Sequence, residues 1–132
     1  MEYLIGLLLS LAVAGLAMMT GLDRERGFYP PILIVIASFY VLFAVMAAPR
    51  RTLIIEIAIA SGFLLLAVIG YKTSLWLLAA GIVGHGIFDL VHHSLIDNPG
   101  VPGWWPGFCG AFDVIFGGLV AMLLLTRRVA TR

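Results

Sequence analysis

PILIVIASFYVLFAVMAA, residues Pro31–Ala48, carries no charge and is fenced by Pro30 on one side and Pro49-Arg50-Arg51 on the other. As a helix rising ~1.5 Å per residue, such a run crosses most of a ~30 Å hydrocarbon layer. Proline at its start suits a helix N-terminus, where the missing N–H is not needed. Four runs of the same kind flank it, at Tyr3–Thr20, Thr52–Gly70, Ser74–Leu95 and Gly107–Thr126. The polar punctuation between them is short: Gly21–Gly27, a tight turn expected at Tyr71-Lys72-Thr73, and the longer Ile96–Pro106 connection bearing Trp104-Trp105. The first run begins Met1-Glu2-Tyr3 without positive charge, so it is read as a retained span rather than a signal segment.

Composition agrees. Of the 132 residues, 62% are hydrophobic and 11% charged, against about 45–50% and about 25% in soluble domains. Mean hydropathy is +1.10. Without water to satisfy backbone groups, each span must be helical, so the expected architecture is an all-α bundle of five transmembrane helices in a single domain. A net charge of +1 gives no surface for nucleic acid, and a single cysteine excludes an internal disulfide.

The distribution of Lys and Arg sets the expected orientation. Arg24, Arg26, Lys72, Arg127, Arg128 and Arg132 fall on one side, and only Arg50 and Arg51 on the other. The first side is then cytoplasmic, with the N-terminus and Trp104-Trp105 outward and the C-terminus inward. Small residues at four-residue spacing, such as Gly107/Ala111 and Gly117/Ala121, with Gly84 and Gly86 beside them, are read as close helix packing. So glycine-rich a bundle is also a candidate homodimer.

The informative residues are the ionisable ones inside the spans. Glu56, Asp89 and Asp113 fall in spans three, four and five, and His85, His92 and His93 all fall in span four. No Lys or Arg lies within any span to compensate them. An ionised Asp at a bilayer centre costs about 2.5–3.5 kcal/mol on insertion scales. The carboxyls must therefore be protonated, or be matched by charged histidines or a metal ion. At about 100° per residue, Asp89 sits about 40° and His92 about 20° to either side of His85 on one helix stripe, with His93 at its margin. Glu56 and Asp113 enter their spans from the same side as Asp89 leaves its own, so the three carboxylates share a depth.

Imidazole with carboxylate is the donor set of zinc and of non-haem iron. His85 and His92 are expected as ligands, with His93 a marginal candidate better read as an interfacial histidine. Asp89 ligates or orients an imidazole. Asp113 is a further ligand or the base that activates bound water, and Glu56 is the other candidate base. With Glu56 and Asp113 as ligands, the set also suits a two-metal site between bundle helices. Cys109, four residues before Asp113, is a possible thiolate ligand but is expected to be a buried apolar cysteine. The competing reading is a His–Asp hydrogen-bond network that glues spans three, four and five without metal. Asp23-Arg24-Glu25-Arg26 has the look of a lipid-headgroup contact, but is expected to be a solvated, self-paired loop. The Asp97–Pro106 loop reads either as a lid over the polar site or as a rigid interfacial turn.

The order His85-x3-Asp89-x2-His92-His93, then Asn98-Pro99, Val101-Pro102 and Cys109-x3-Asp113, resembles a family of short bacterial membrane proteins, domain of unknown function 6010. The resemblance implies a several-helix membrane protein, marks those His, Asp and Cys positions, and supplies no activity; the expected location is a bacterial inner membrane. The expected function is that of a metal-dependent membrane enzyme, a hydrolase or oxidase using zinc or iron on a lipid-soluble or amphiphilic substrate that enters from membrane lipid. Proton or divalent-cation transport through the same residues, and a non-catalytic assembly subunit, are the alternatives.

Overall fold

The computed structural model describes residues 1–132. It contains five long helices: α1 (Glu2–Thr20), α2 (Tyr29–Ala47), α3 (Arg50–Thr73), α4 (Leu75–Leu95) and α5 (Trp105–Leu125), with no strand. All five are long and apolar enough to cross a membrane, so the fold is that of an all-α, multi-pass bundle. Many large apolar side chains, among them Leu4, Val45, Ile54, Leu65 and Leu125, point outward. In water that would be an aggregating surface; in lipid it is the solvated one.

Sequence signals set the helix ends. Gly21 closes α1 with φ +83°, a left-handed conformation that glycine adopts without steric cost. Pro30 and Pro31 sit in the first turn of α2, where their absent N–H groups strand no acceptor. One expectation is corrected here. Tyr71-Lys72-Thr73 is the last turn of α3 rather than a turn, and the break comes at Ser74 alone, in extended backbone. Ser74 then caps α4, its hydroxyl accepting from the Trp76 N–H at 3.3 Å.

α4 is the centre of the bundle, packed against α5 most extensively and also against α3 and α2, while α1 leans on α5. The α4–α5 seam is close because glycine lines it. A Cβ on Gly86 would stand 2.9 Å from both the Asp113 Cβ and the Val114 backbone nitrogen. A Cβ on Gly117 would meet the Val83 backbone nitrogen at 2.9 Å. Small residues let dispersion act between backbones where lipid supplies no hydrophobic drive.

The face that carries the C-terminus is closed by a clasp, which corrects the reading of the Asp23–Arg26 loop as solvated and self-paired. Asp23 is 1% exposed and its carboxylate pairs with the Arg128 guanidinium. Arg26 donates to the carbonyls of Ala130 and Tyr71, and the Thr131 carbonyl accepts from the Leu75 N–H at 2.9 Å. Val129 is buried beneath these contacts. The loop folds inward because the helix ends around it offer unpaired backbone groups that its side chains can satisfy.

Gly86→Ala is expected to destabilise the bundle by about 1–3 kcal/mol through overpacking of the α4–α5 seam. Gly84→Ala, where a Cβ meets nothing within 4 Å, should be neutral or mildly stabilising. Reversible unfolding of the two variants in mixed micelles checks the contrast.

Candidate metal centre

His85 and Asp89 are one turn apart on α4, and Cys109 and Asp113 are one turn apart on α5. The glycine seam brings the two pairs face to face. The ligating atoms of His85, Asp89, Cys109 and Asp113 all lie within 4.8 Å of one another, and all four residues are buried. His85 Nδ1 is 2.7 Å from Asp113 Oδ2 and 3.4 Å from Asp89 Oδ2. Cys109 Sγ is 3.8 Å from the same Asp113 oxygen.

This cluster is short of positive charge and of donors. Both carboxylate oxygens of Asp89, and Oδ1 of Asp113, are buried without a hydrogen-bond partner. No Lys or Arg side chain pairs with either aspartate. A buried acceptor left unmade costs roughly 1–3 kcal/mol, and more when charged. One imidazole cannot satisfy four carboxylate oxygens. A divalent cation among these four donors would take them up together, and a nitrogen, thiolate and carboxylate set is one that zinc accepts.

His92 belongs to a second group. Its Nε2 is 2.7 Å from Glu56 Oε1, and the same oxygen accepts from Asn98 Nδ2 at 2.9 Å. Asn98 Nδ2 also donates to the Tyr40 carbonyl in the second half of α2, and Thr52 Oγ1 to the Asp97 carbonyl at 3.0 Å. The 96–104 connection is thereby drawn over the ends of α2 and α3, with Gly100 pressed so closely onto Phe43 that a Cβ would overlap its carbonyl. A polar cavity of about 390 Å³, lined by Glu2, His92, His93, Asp97 and Asn98, opens beside this loop.

Tyr40 separates the two groups. Its ring stacks on His92 with centroids 3.9 Å apart and lies 6.1 Å from His85. Phe63 meets His85 edge-on at 4.8 Å, and Phe88 meets His92 edge-on at 5.3 Å. Aromatic walls fix both imidazoles and keep lipid from the carboxylates.

The expected site residues thus divide. His85, Asp89 and Asp113 come together, and Cys109 joins them. Its burial fits the apolar reading, but its sulfur faces a carboxylate. His92 and Glu56 pair with each other beyond Tyr40, so His85 and His92 do not share one ligand set. His93 is exposed and lines the polar cavity beside His92, outside the cluster. Tyr40 and the buried Asn98 had not been singled out as site residues. Asn98 reads as a turn former beside Pro99-Gly100, and Tyr40 as one more apolar aromatic, since only its fold partners reveal the wedge.

Towards the C-terminal face the interior holds no such cluster. There Leu33, Leu75, Leu78, Ile82, Phe116 and Val120 form an apolar core, each 6% exposed or less.

A wide apolar groove runs between α1 and α2, which barely touch, with α5 as its floor. Its volume is about 1240 Å³, and Ile5, Val35, Phe39, Trp105 and Cys109 are among its walls. Cys109 is therefore shared: it lines the groove, and its sulfur reaches toward Asp113.

Glu56→Leu should cost about 1–3 kcal/mol for each stranded donor, on His92 and on Asn98. Tyr40→Phe keeps the stack and removes a hydroxyl that lies beside the Asp89 carboxylate, so it should cost about 1 kcal/mol, less than the loss of two bonds at Glu56. Unfolding midpoints of the two variants separate these outcomes. No family model, curated protein or solved structure matches this chain, so its chemistry is read from its own residues.

Proposed function

We propose that this chain is a metal-dependent enzyme of the membrane, holding a divalent metal at His85, Asp89, Cys109 and Asp113 and acting on a lipid-soluble substrate. The observation that carries the reading is Asp89, 0% exposed with neither carboxylate oxygen hydrogen-bonded, in a donor cage without a cationic side chain. Zinc fits better than iron, because the non-haem iron triad needs two histidines and only His85 belongs to the cluster. Bound there, the metal would supply Lewis acidity and an activated water, which favours hydrolytic over oxidative chemistry. His85 Nδ1 is the nitrogen donor, at the position where it now faces Asp113. Glu56 and His92 form a hydrogen-bonded pair beyond Tyr40 that shares no hydrogen bond with the cluster, so Asp113 is the better placed base. The apolar groove supports lateral entry from lipid, and the loop over Asn98 supports exclusion of bulk water. By the positive-inside bias, this half of the bundle faces outward in a bacterial inner membrane.

The apolar core towards the C-terminal face argues against a continuous ion path, which needs polar groups on both sides. Metal content decides between catalysis and helix glue. Protein purified without chelator should carry about one zinc per chain, and Asp89→Asn, isosteric and still monodisperse with unchanged helicity, should lose it. Cobalt substitution should give a thiolate charge-transfer band that Cys109→Ser abolishes. Wild type that binds neither zinc nor iron after challenge sinks the reading, leaving His85, Asp89 and Asp113 as a structural network.

A further inference from the structure

We infer that the polar cavity beside the 96–104 connection binds a primary ammonium group, carried to the membrane surface by an amphiphile. The inference rests on this cavity alone and needs no metal at the cluster.

The cavity holds an oriented acceptor. His92 is 1% exposed, yet it is one of the cavity's walls. Its Nε2 faces Glu56 Oε1 at 2.7 Å, and that oxygen already accepts from Asn98 Nδ2 at 2.9 Å. An oxygen accepting from both sides leaves the hydrogen on Nε2, so the neutral ring keeps its lone pair on Nδ1. No protein donor meets Nδ1, and unlike the Asp89 oxygens it is not sealed from the surface. The Tyr40 stack at 3.9 Å and the Phe88 edge at 5.3 Å fix the plane in which that lone pair points.

The walls supply negative charge without a counter-charge. Glu2 and Asp97 line the cavity, and no Lys or Arg does. A Cβ on Gly107 would stand 2.8 Å from Glu2 Cγ and 3.0 Å from Tyr3 Cζ. Both side chains therefore lie across the start of α5, where only glycine leaves room for them. The Met1 ammonium, 3.4 Å from Glu2, shares that carboxylate from outside the cavity walls. Asp97 is exposed and has no ion-pair partner. Tyr3, also a wall, adds an aromatic ring, whose face attracts cations.

These features select among head groups. A phosphate or carboxylate would meet two carboxylates and no cation. A hydroxyl would bond Nδ1 and leave the carboxylates unmatched. A quaternary ammonium matches the charge but has no N–H to donate. A primary ammonium does both, and a cavity of about 390 Å³ with Leu90 and Ile96 among its walls also takes the first carbons behind the nitrogen. Two sources carry this chemistry: the head of phosphatidylethanolamine and a free long-chain amine.

The test uses full-length protein with ¹⁵N-labelled histidine in phosphatidylcholine nanodiscs at about pH 8, where an ordinary imidazole is neutral and an alkylammonium charged. The chain has three histidines, so each ring is followed separately. A long-chain primary amine should shift the His92 Nδ1 signal away from that of a bare acceptor and leave His85 unmoved. The trimethylammonium of equal chain length lacks the N–H, and the alcohol lacks the charge. Each should bind at least about 10-fold more weakly, the lower range for a hydrogen bond involving a charged group. Asp97→Asn, at an exposed position, should weaken the amine about 2- to 5-fold, the range of one exposed charge. A His92 signal unmoved by saturating amine, equal binding by the trimethylammonium or the alcohol, or an affinity unchanged in Asp97→Asn overturns the inference. Phosphatidylethanolamine added to the discs separates the sources. A His92 shift without added amine identifies the lipid head, and a shift that still requires amine identifies the free amphiphile. Asp89→Asn, which removes a proposed metal ligand, should leave the amine titration unchanged, so this inference and the enzyme reading fail separately.

Discussion

Uncompensated negative charge in a low-dielectric interior is the constraint on which this bundle depends. Two aspartates meet across a seam between α4 and α5 with one imidazole between them, and nothing else there carries a positive charge. A bilayer interior gives such groups no water, so whatever neutralises them must be built into or captured by the fold. The rest of the architecture follows from protecting that arrangement. Gly86 and Gly117 let the two helices come close enough for the pairs to face, and aromatic rings wall the imidazoles. The loop bearing Asn98 bonds one oxygen of Glu56, while its other oxygen stays buried without a partner.

The same constraint explains why the histidines and carboxylates within the spans gather in one half of the molecule. Every buried carboxylate adds a desolvation cost that some partner must offset, and the partners come from short-range geometry: a histidine one turn away, a glutamate on the next helix, an asparagine on the adjoining loop. Towards the other face, leucine, isoleucine and phenylalanine fill the interior at no such cost. Bundle stability and site chemistry are thus spatially separated, which leaves the site free to carry unsatisfied groups.

Much of this was legible in the sequence, because hydropathy and helical periodicity are local properties. The run Pro31–Ala48 and its four counterparts gave the spans to within a few residues, and the one-turn spacing of His85 and Asp89 gave their shared stripe. What failed were inferences about partners. Tyr71-Lys72-Thr73 resembles a turn by polarity, yet helix continues until Ser74, because Lys and Tyr at a membrane interface are compatible with helix. His92 shares the stripe of His85, but an extra seven residues carry it up to the level of Glu56 and Asn98, past the ring of Tyr40. Cys109 and Asp113 share a helix face by their four-residue spacing, but that this face turns towards His85 and Asp89 is set by the α4–α5 packing, a tertiary fact that spacing does not contain.

The clasp at the C-terminal face has a bearing on biogenesis. Asp23 and Arg128 are 105 positions apart, and Arg26 reaches the carbonyl of Ala130 over a similar separation. Segment 128–131 follows α5, so α1 and α2 must insert and persist in lipid while the loop between them still lacks its counter-charge. The aspartate there waits, hydrated at the membrane surface, until the last helix is threaded. Closure of the loop is therefore a late event that reports on complete insertion: a nascent chain stalled before α5 presents an open loop with Asp23 unpaired from Arg128, and a finished one does not.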